Sequence, residues 1–530
     1  MVPWDDHTCL RLGVASMTSN PTNTGALERK QHDTADIESD CITYAERVRI
    51  VQLLPHERRA KTVKDLPLGI PRELRLHPAE SRRTFPFDEP WERELVALYR
   101  KHCGDNWNFE EIKKHLDQDM KDWRTVARPK DRRRLKIMHA FFAHADELVG
   151  DNLGERLLPG FASVPLVVLC LADQMQREVG PHSETYTMIP MRMVPDPEEL
   201  SALLKENETR KSIRDKGAWV ARYSDESTVP FVVTVIAWSM YEMVLFQGSF
   251  ATINQWRSAF DAQGNKNVFP GLGMANEWIS RDENHHGMMG RQDMNYIAQW
   301  PPEAYVQEMM RGAVETESAY IRDLYPDPIP VDQLPDLKAC GAAREAAQQA
   351  LLDTLTVDKQ KEAQALLDKL ATEAVAKGMC DEVYVRRRDL SALSVIVLGP
   401  PPLFEPQEAC WKRYEAALHA EAHAAVCHHD SRAVPGLQDE TAAKMIGYIE
   451  FLADKILAML DCAPLYNHAT CPIKDMENHA SHKQVAFFER INTGYASAAA
   501  RAGGAGAATT TSGVTDPSTK ARTLNLRGPI

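Results

Sequence analysis

The sequence predicts an all-α fold, a helical bundle, on three observations. Apolar residues recur at steps of three and four from about Trp91 to residue 335, the period of a helix buried along one face. Strand-like alternation is hard to find over the same stretch. Acidic and imidazole side chains stand inside the apolar runs, at spacings that helices would turn toward one another.

Composition narrows the classes. With 530 residues the chain can bury a substantial core and still carry additions. A net charge of −13 and a pI near 5.8 leave no basic footprint for nucleic acid. The ten cysteines are scattered without a CxxC pair, which suits a reducing compartment. The N-terminus has no apolar signal core and the longest apolar run carries an acid, so a cytoplasmic protein that binds no membrane is expected.

Residues 1–69 are polar and punctuated by Asn20-Pro21, Asn23-Thr24 and Pro55, and read as a disordered extension. Trp91 and Leu95 mark a first amphipathic helix in a bundle taken to run over 70–335. Phe142, Asp146, Val149 and Leu153 follow at steps of four, three and four, which turns the acid Asp146 toward the core. Glu178 and His182 come after the apolar stretch Val164 to Leu171, at i, i+4 and just before Tyr186.

From Pro230 to Ile253 the only ionisable acid, base or imidazole is Glu242. A carboxylate buried there costs several kcal/mol unless compensated or neutralised (roughly;). Glu283 and His286 then stand at i, i+3, one turn apart on one face. Four carboxylates and two histidines on four helical segments match the ligand count and chain order of ferritin-like di-iron or di-manganese bundles. Each piece alone has a plainer reading. A lone buried Glu more often pairs with a cation, Asp146 could cap or bridge, and Arg177 and Arg281 are near enough in sequence to serve as partners.

In five blocks the chain resembles the small, radical-generating subunit of class I ribonucleotide reductase. They are ISRDENHHG from Ile279, FFAHADELVGDNLGERL from Phe141, EMVLFQGSFATI from Glu242, HSETY from His182, and NWNFEEI with Trp107. IEFLADKIL and FFERINTGY extend the likeness to Tyr495. The resemblance implies a ferritin-like fold and two iron ions, or manganese, on Asp146, Glu178, His182, Glu242, Glu283 and His286. It implies a radical on Tyr186 in a dry pocket of Phe246, Phe250 and Ile279. It further implies a path through Trp107 and Asp282, with Tyr495 handing the hole to a large catalytic subunit that reduces ribonucleotides, and a homodimer.

The chain departs from that family in three places. Residues 336–433 match nothing in it; their first half favours a helical hairpin, and DEVYVRRRDLSALSVIVLGPPP could hold one strand before Pro400 to Pro402. His419, His423, Cys427, His428 and His429 have ligand-like spacing, but an Ala-rich helix tolerates surface histidines, and a surface insertion that packs on the bundle or meets a partner is preferred. The bundle's last helices are expected over 434–495. The tail, 496–530, has no acid after Asp516, so docking on the large subunit would use Leu524, Leu526 and Ile530 with basic neighbours.

The third departure is Glu178-x-x-x-His182 where the family has Glu-x-x-His. One extra residue moves the carboxylate by about 100° around an ideal helix. Pro181 deletes a helix hydrogen bond, so either a local bulge restores the direction or one metal position is altered. Two other readings stand beside the reductase: a non-enzymatic structural paralogue with an incomplete metal site, and another di-metal oxidase on the same bundle.

Overall fold

The structure is a computed structural model. It describes residues 41–77, 86–260, 264, 268–376, 393–394, 396–397, 405–473 and 476, without the side chains of residues 147, 331, 370–376 and 405–406. Among them there are helices, turns and isolated bridges but no strand.

The polar N-terminal segment is structured from residue 41, which corrects the expectation of an unstructured extension through 69. Helix α1 (Tyr44–Val51) starts in a reciprocal cap, with Glu46 N donating to the Thr43 hydroxyl and Thr43 N donating to Glu46 Oε2 at 2.8 Å. Arginines do the docking. Arg47 Nη1 donates to Ser163 O at 3.0 Å, and Arg58 Nη1 to Ile297 O at 2.6 Å. Ile42, Leu66 and Leu74 are buried beside them. Composition hid this packing because polar side chains that reach distant carbonyls carry it, not an apolar stripe.

The body is built from α2 (Arg93–Gly104), α3 (Leu116–Thr125), α4 (Pro129–Asn152), α5 (Pro165–Arg177), α6 (Ser183–Met193), α7 (Lys211–Ala221), α8 (Phe231–Val244), α9 (Gln247–Asn254), α10 (Pro270–Asp293) and α11 (Glu303–Leu324). Proline at the first turn fixes the starts of α4, α5 and α10, where a missing N–H costs nothing. The start of α10 is also capped from α3. Asp119 accepts from Gly271 N at 2.9 Å and Leu272 N at 2.7 Å, and Asp122 accepts from Phe269 N at 2.9 Å. Two carboxylates thus meet the positive end of the helix that carries Glu283 and His286.

Every residue of α8 is buried. Phe231–Ser258 is long and apolar enough to cross a membrane, yet its most apolar stretch is buried inside the protein. α8 packs along α10, and α4 along α6. A Cβ at Gly287 or Gly290 would collide with Met243 or Ser239 respectively, so the two glycines allow the close approach of α8 and α10.

The insertion makes its own small core. Helices α12 (Leu337–Leu352) and α14 (Glu405–Asp430) pack together, with α13 (Val357–Ala376) nearby in sequence, around Leu351, Leu355, Leu393, Trp411, Tyr414 and Leu418. The strand expected before Pro400 is not formed where the segment is described: Leu393, Ser394, Ile396 and Val397 are helical. Leu393 and Val397, four apart, face that core, and packing overrides the β propensity of the run. α15 (Ala442–Met459) returns to the bundle against α11.

Between α8 and α9 the helix breaks at Leu245. A buried ion pair covers the break. Lys216 Nζ donates to Leu245 O at 2.5 Å and lies 2.7 Å from Glu317 Oε2, while Glu317 Oε1 accepts from Gly248 N at 2.9 Å. The Lys216 ammonium also sits over the rings of Phe141 and Tyr320, at 3.8 and 3.5 Å. Burial pulls the Lys216 pKa down to about 8 against the pull of Glu317. Lys216→Met should therefore lower unfolding stability by about 3–5 kcal/mol in denaturant titration, since it strands a buried carboxylate. Adding Glu317→Gln should recover part of the loss; strictly additive losses would show that the two groups are not coupled.

Candidate metal centre

Four helical segments converge on one buried point. Asp146 comes from α4, Glu178 and His182 from the turn joining α5 to α6, Glu242 from α8, and Glu283 and His286 from α10. None of the six is more than 3% exposed. Asp146, Glu178 and His182 form one group whose potential ligand atoms lie within 4.8 Å of one another, and Glu178, Glu242, Glu283 and His286 form a second. Glu178 belongs to both, as a carboxylate bridging two ions would. Bridging was not expected of it.

The turn explains how. Glu178–His182 is a π-turn, with Gly180 at φ −100° and ψ −107° and Pro181 inside it. The extra residue is absorbed as a bulge, and Val179, in the register that Glu178 would otherwise lose, is 61% exposed. Glu178 keeps its inward direction. Its Oε2 lies 3.2 Å from His182 Nδ1 and its Oε1 2.9 Å from His286 Nδ1. His182 Nδ1 is also 3.3 Å from Glu283 Oε1 and 3.7 Å from Asp146 Oδ2.

The electrostatics call for cations. Burial, then neighbouring carboxylates, push Asp146 and Glu242 well above the usual acid range. Burial opposes protonation of His286, yet Glu178 and Glu283 carry it up to about 9. Burial likewise opposes charge on His182, but bonds to Asp282 and Glu178 raise it well above its ordinary value. Both Asp146 oxygens, Glu242 Oε2, Glu283 Oε1 and His286 Nε2 are buried without a hydrogen-bond partner. Orphaned donor atoms of this kind are costly unless something else satisfies them. Two divalent ions would balance four carboxylates, and oxygen with imidazole is a donor set that iron and manganese accept.

Tyr186 follows one turn after His182 on α6. It is buried, its hydroxyl has no hydrogen-bond partner, and burial followed by Asp146 and Glu283 raises its pKa well above the ordinary phenol. The ring stacked on it is Phe142, at 4.3 Å and 10°. Phe246 and Phe250 stack on Phe142 in turn, at 6.1 and 5.8 Å, so they form the next layer of the pocket. Ile279 is buried. The stripe that pointed Asp146 inward contained Phe142 and was the available signal for its role.

Trp107 Nε1 donates to Asp282 Oδ2 at 2.8 Å, and the same oxygen lies 3.4 Å from His182 Nε2. The indole is also stacked near His182, at 5.8 Å and 21°. Asp282, beside Glu283 in sequence, is completely buried. Burial works against its ionisation, but the His182 bond and Arg281 hold its pKa far below the usual range. Arg177 and Arg281, weighed as partners for the buried acids, both face Asp282 instead, at 3.4 and 3.0 Å.

His102, Asp282 and His285 also lie close enough to hold an ion. Arg281 already compensates that carboxylate at 3.0 Å and the Arg177 guanidinium lies 3.4 Å from it, so a dication would confront two cations, and we do not read the trio as a metal site. Neither His102 nor Gln174 was singled out by sequence. Gln174 Nε2 donates to Glu242 Oε1 at 3.1 Å, and His102 Nδ1 lies 2.5 Å from Asp173 Oδ2. No periodic or motif signal marks either residue.

Tyr495 and the tail lie outside the described residues. In the insertion, His428 Nε2 donates to Pro335 O at 2.8 Å and Cys427 Sγ lies 3.7 Å from His423 Nε2. These side chains form no ligand grouping among the described residues.

Because Glu178 joins both groups, Glu178→Ala should lower metal uptake at both positions, read as ions bound per chain after reconstitution. Asp146→Ala should weaken mainly the position shared with His182. Full loading of Glu178→Ala would remove the bridging role.

A family model described as ribonucleotide reductase, small chain, matches residues 83–339. The ribonucleoside-diphosphate reductase small chain of Neurospora crassa is 29% identical over 235 residues, which cover 44% of this chain and 54% of that protein. Human ribonucleoside-diphosphate reductase subunit M2 is 27% identical over 233 residues, covering 44% and 57%. The chain thus spans little more than half the length of these curated relatives. A solved structure, the ribonucleotide reductase Rnr4 homodimer from Saccharomyces cerevisiae, aligns over 77% of this chain and 90% of that one, with 17% identity and a TM-score of 0.46. Over residues 83–339 the chain is similar to the ribonucleotide reductase small chain.

Proposed function

We propose that the chain is the radical-generating small subunit of a ribonucleoside-diphosphate reductase. One observation carries the reading: a buried cluster of four carboxylates and two imidazoles lies between a partnerless phenol, Tyr186, and a Trp107–Asp282–His182 link. Asp146, Glu178, His182, Glu242, Glu283 and His286 would hold two iron ions, with manganese as the alternative. The ions, when bound, supply one-electron oxidising power from dioxygen.

The protein's own residues do the rest. Tyr186 would give up an electron and its phenolic proton to the oxidant derived from dioxygen, which is reduced and protonated in turn, and stacking on Phe142 inside a shell of Phe246, Phe250 and Ile279 keeps water and reductants from the ring. Trp107 and Asp282 relay the hole outward, and Tyr495 passes it to a large subunit that reduces ribonucleotides. A homodimer in the cytoplasm, without nucleic acid or membrane, belongs to the same reading.

The two rival readings lose ground on particular residues. A structural paralogue with an incomplete metal site would follow from a misdirected Glu178, but that carboxylate lies beside both histidines. Another di-metal oxidase has no use for a tryptophan hydrogen-bonded to a buried Asp282.

Reduced protein given iron and dioxygen should show a tyrosyl electron paramagnetic resonance signal that disappears in Tyr186→Phe with metal content unchanged. Trp107→Phe should abolish nucleotide reduction with a cognate large subunit. A signal that persists in Tyr186→Phe would place the radical elsewhere, and no signal from the fully loaded parent would remove the reading.

A further inference from the structure

Arg177 is the last residue of α5, immediately before the π-turn, and is 1% exposed. Its Nη2 donates to His102 O at 2.7 Å, and its Nη1 reaches Asp105 O at 3.5 Å and Asp282 Oδ2 at 3.4 Å. His102 lies in the last turn of α2 and Asp105 is its C-cap, two residues before Trp107. One guanidinium therefore joins the end of the helix that delivers the indole to the carboxylate oxygen that accepts the indole N–H. Terminal helix carbonyls buried from water need a donor, and a planar fork can serve two of them and a carboxylate together.

The plainer account makes Arg177 a counter-charge for Asp282. The distances argue otherwise. Arg281 meets Asp282 Oδ1 at 3.0 Å and donates to Asp105 O at 2.6 Å, so it shares that carbonyl; Arg177 is the guanidinium that holds the His102 carbonyl, at 2.7 Å, and its approach to Asp282 is longer, at 3.4 Å. Arg177 leaves Nε buried without a hydrogen-bond partner. That cost is offset only if holding the α2 terminus matters to the fold or to the site.

We propose that Arg177 is a positioning residue for electron transfer through Trp107: it clamps the α2 terminus so that the indole keeps its hydrogen bond to Asp282. The proposal rests on the radical-generating reading above. In the step concerned, Trp107 loses one electron to the oxidant that reduced metal and dioxygen produce, which gains it, and the Nε1 proton stays on the indole within the bond to Asp282. Misplacement of a reacting group by about 1 Å can cost two orders of magnitude in rate.

The test uses Arg177→Met, which keeps length without donors, and Arg177→Lys, which offers one ammonium in place of the fork. Ultraviolet resonance Raman difference spectra against Trp107→Phe, taken on metal-free protein, report the indole N–H hydrogen bond. Stopped-flow absorbance after mixing reduced, iron-loaded protein with dioxygen, in a Tyr186→Phe background, reports the Trp107 radical. Arg177→Met should weaken the N–H bond signature and slow radical appearance by about tenfold or more with metal content unchanged. Arg177→Lys should fall between. An unchanged Raman signature in either folded variant overturns the clamp, and so does an unchanged rate. If the Tyr186→Phe parent forms no Trp107 radical, the radical-generating reading fails, while the metal-free Raman comparison still tests the clamp separately.

Discussion

Four carboxylates meet inside an apolar bundle, and the helices around them are arranged under that constraint. An uncompensated buried carboxylate would either be protonated or push the helices apart. Asp146 and Glu242 show the strain as raised pKa values, and His182 and His286 show its partial relief by holding protons. The imidazoles leave several oxygens unsatisfied. A pair of divalent ions would take the place of those protons and balance the four carboxylates.

Holding acids together requires rigid approaches from four directions. Asp119 and Asp122 anchor the start of α10, so the helix presenting Glu283 and His286 is fixed at its N-terminus. Gly287 and Gly290 let α8 come close enough to place Glu242 across from it. At the α8 to α9 break the Lys216–Glu317 pair satisfies a carbonyl and an amide that an unbroken helix would have paired internally. The cost of burying that pair is tolerable because each group meets hydrogen-bond partners as well as the other's charge.

The π-turn at Glu178 shows a local rule yielding to a tertiary demand. Proline and glycine inside a helix ordinarily weaken it. Here they open the backbone so that an extra residue is expelled as exposed Val179 while the residues on either side remain turned inward. The same opening places Arg177 beneath the end of α2, so the ligand turn and the Trp107 segment share one anchor. The candidate metal ligands and the Trp107 segment are mechanically joined there.

Much of the centre was legible in the chain. Helical periodicity placed Asp146 inward, the isolation of Glu242 in an apolar run marked it as buried, and the one-turn spacing of Glu283 and His286 set them on a face. Such patterns survive in sequence because helix geometry is local and repeats every 3.6 residues. Tertiary structure alone decided the direction of Glu178, the burial of Asp282, the stacking of Phe142 on Tyr186 and the attachment of residues 41–77. Each depends on a contact between residues far apart in the chain or on a backbone distortion stabilised by such contacts, and the local periodicity of a sequence carries no record of either.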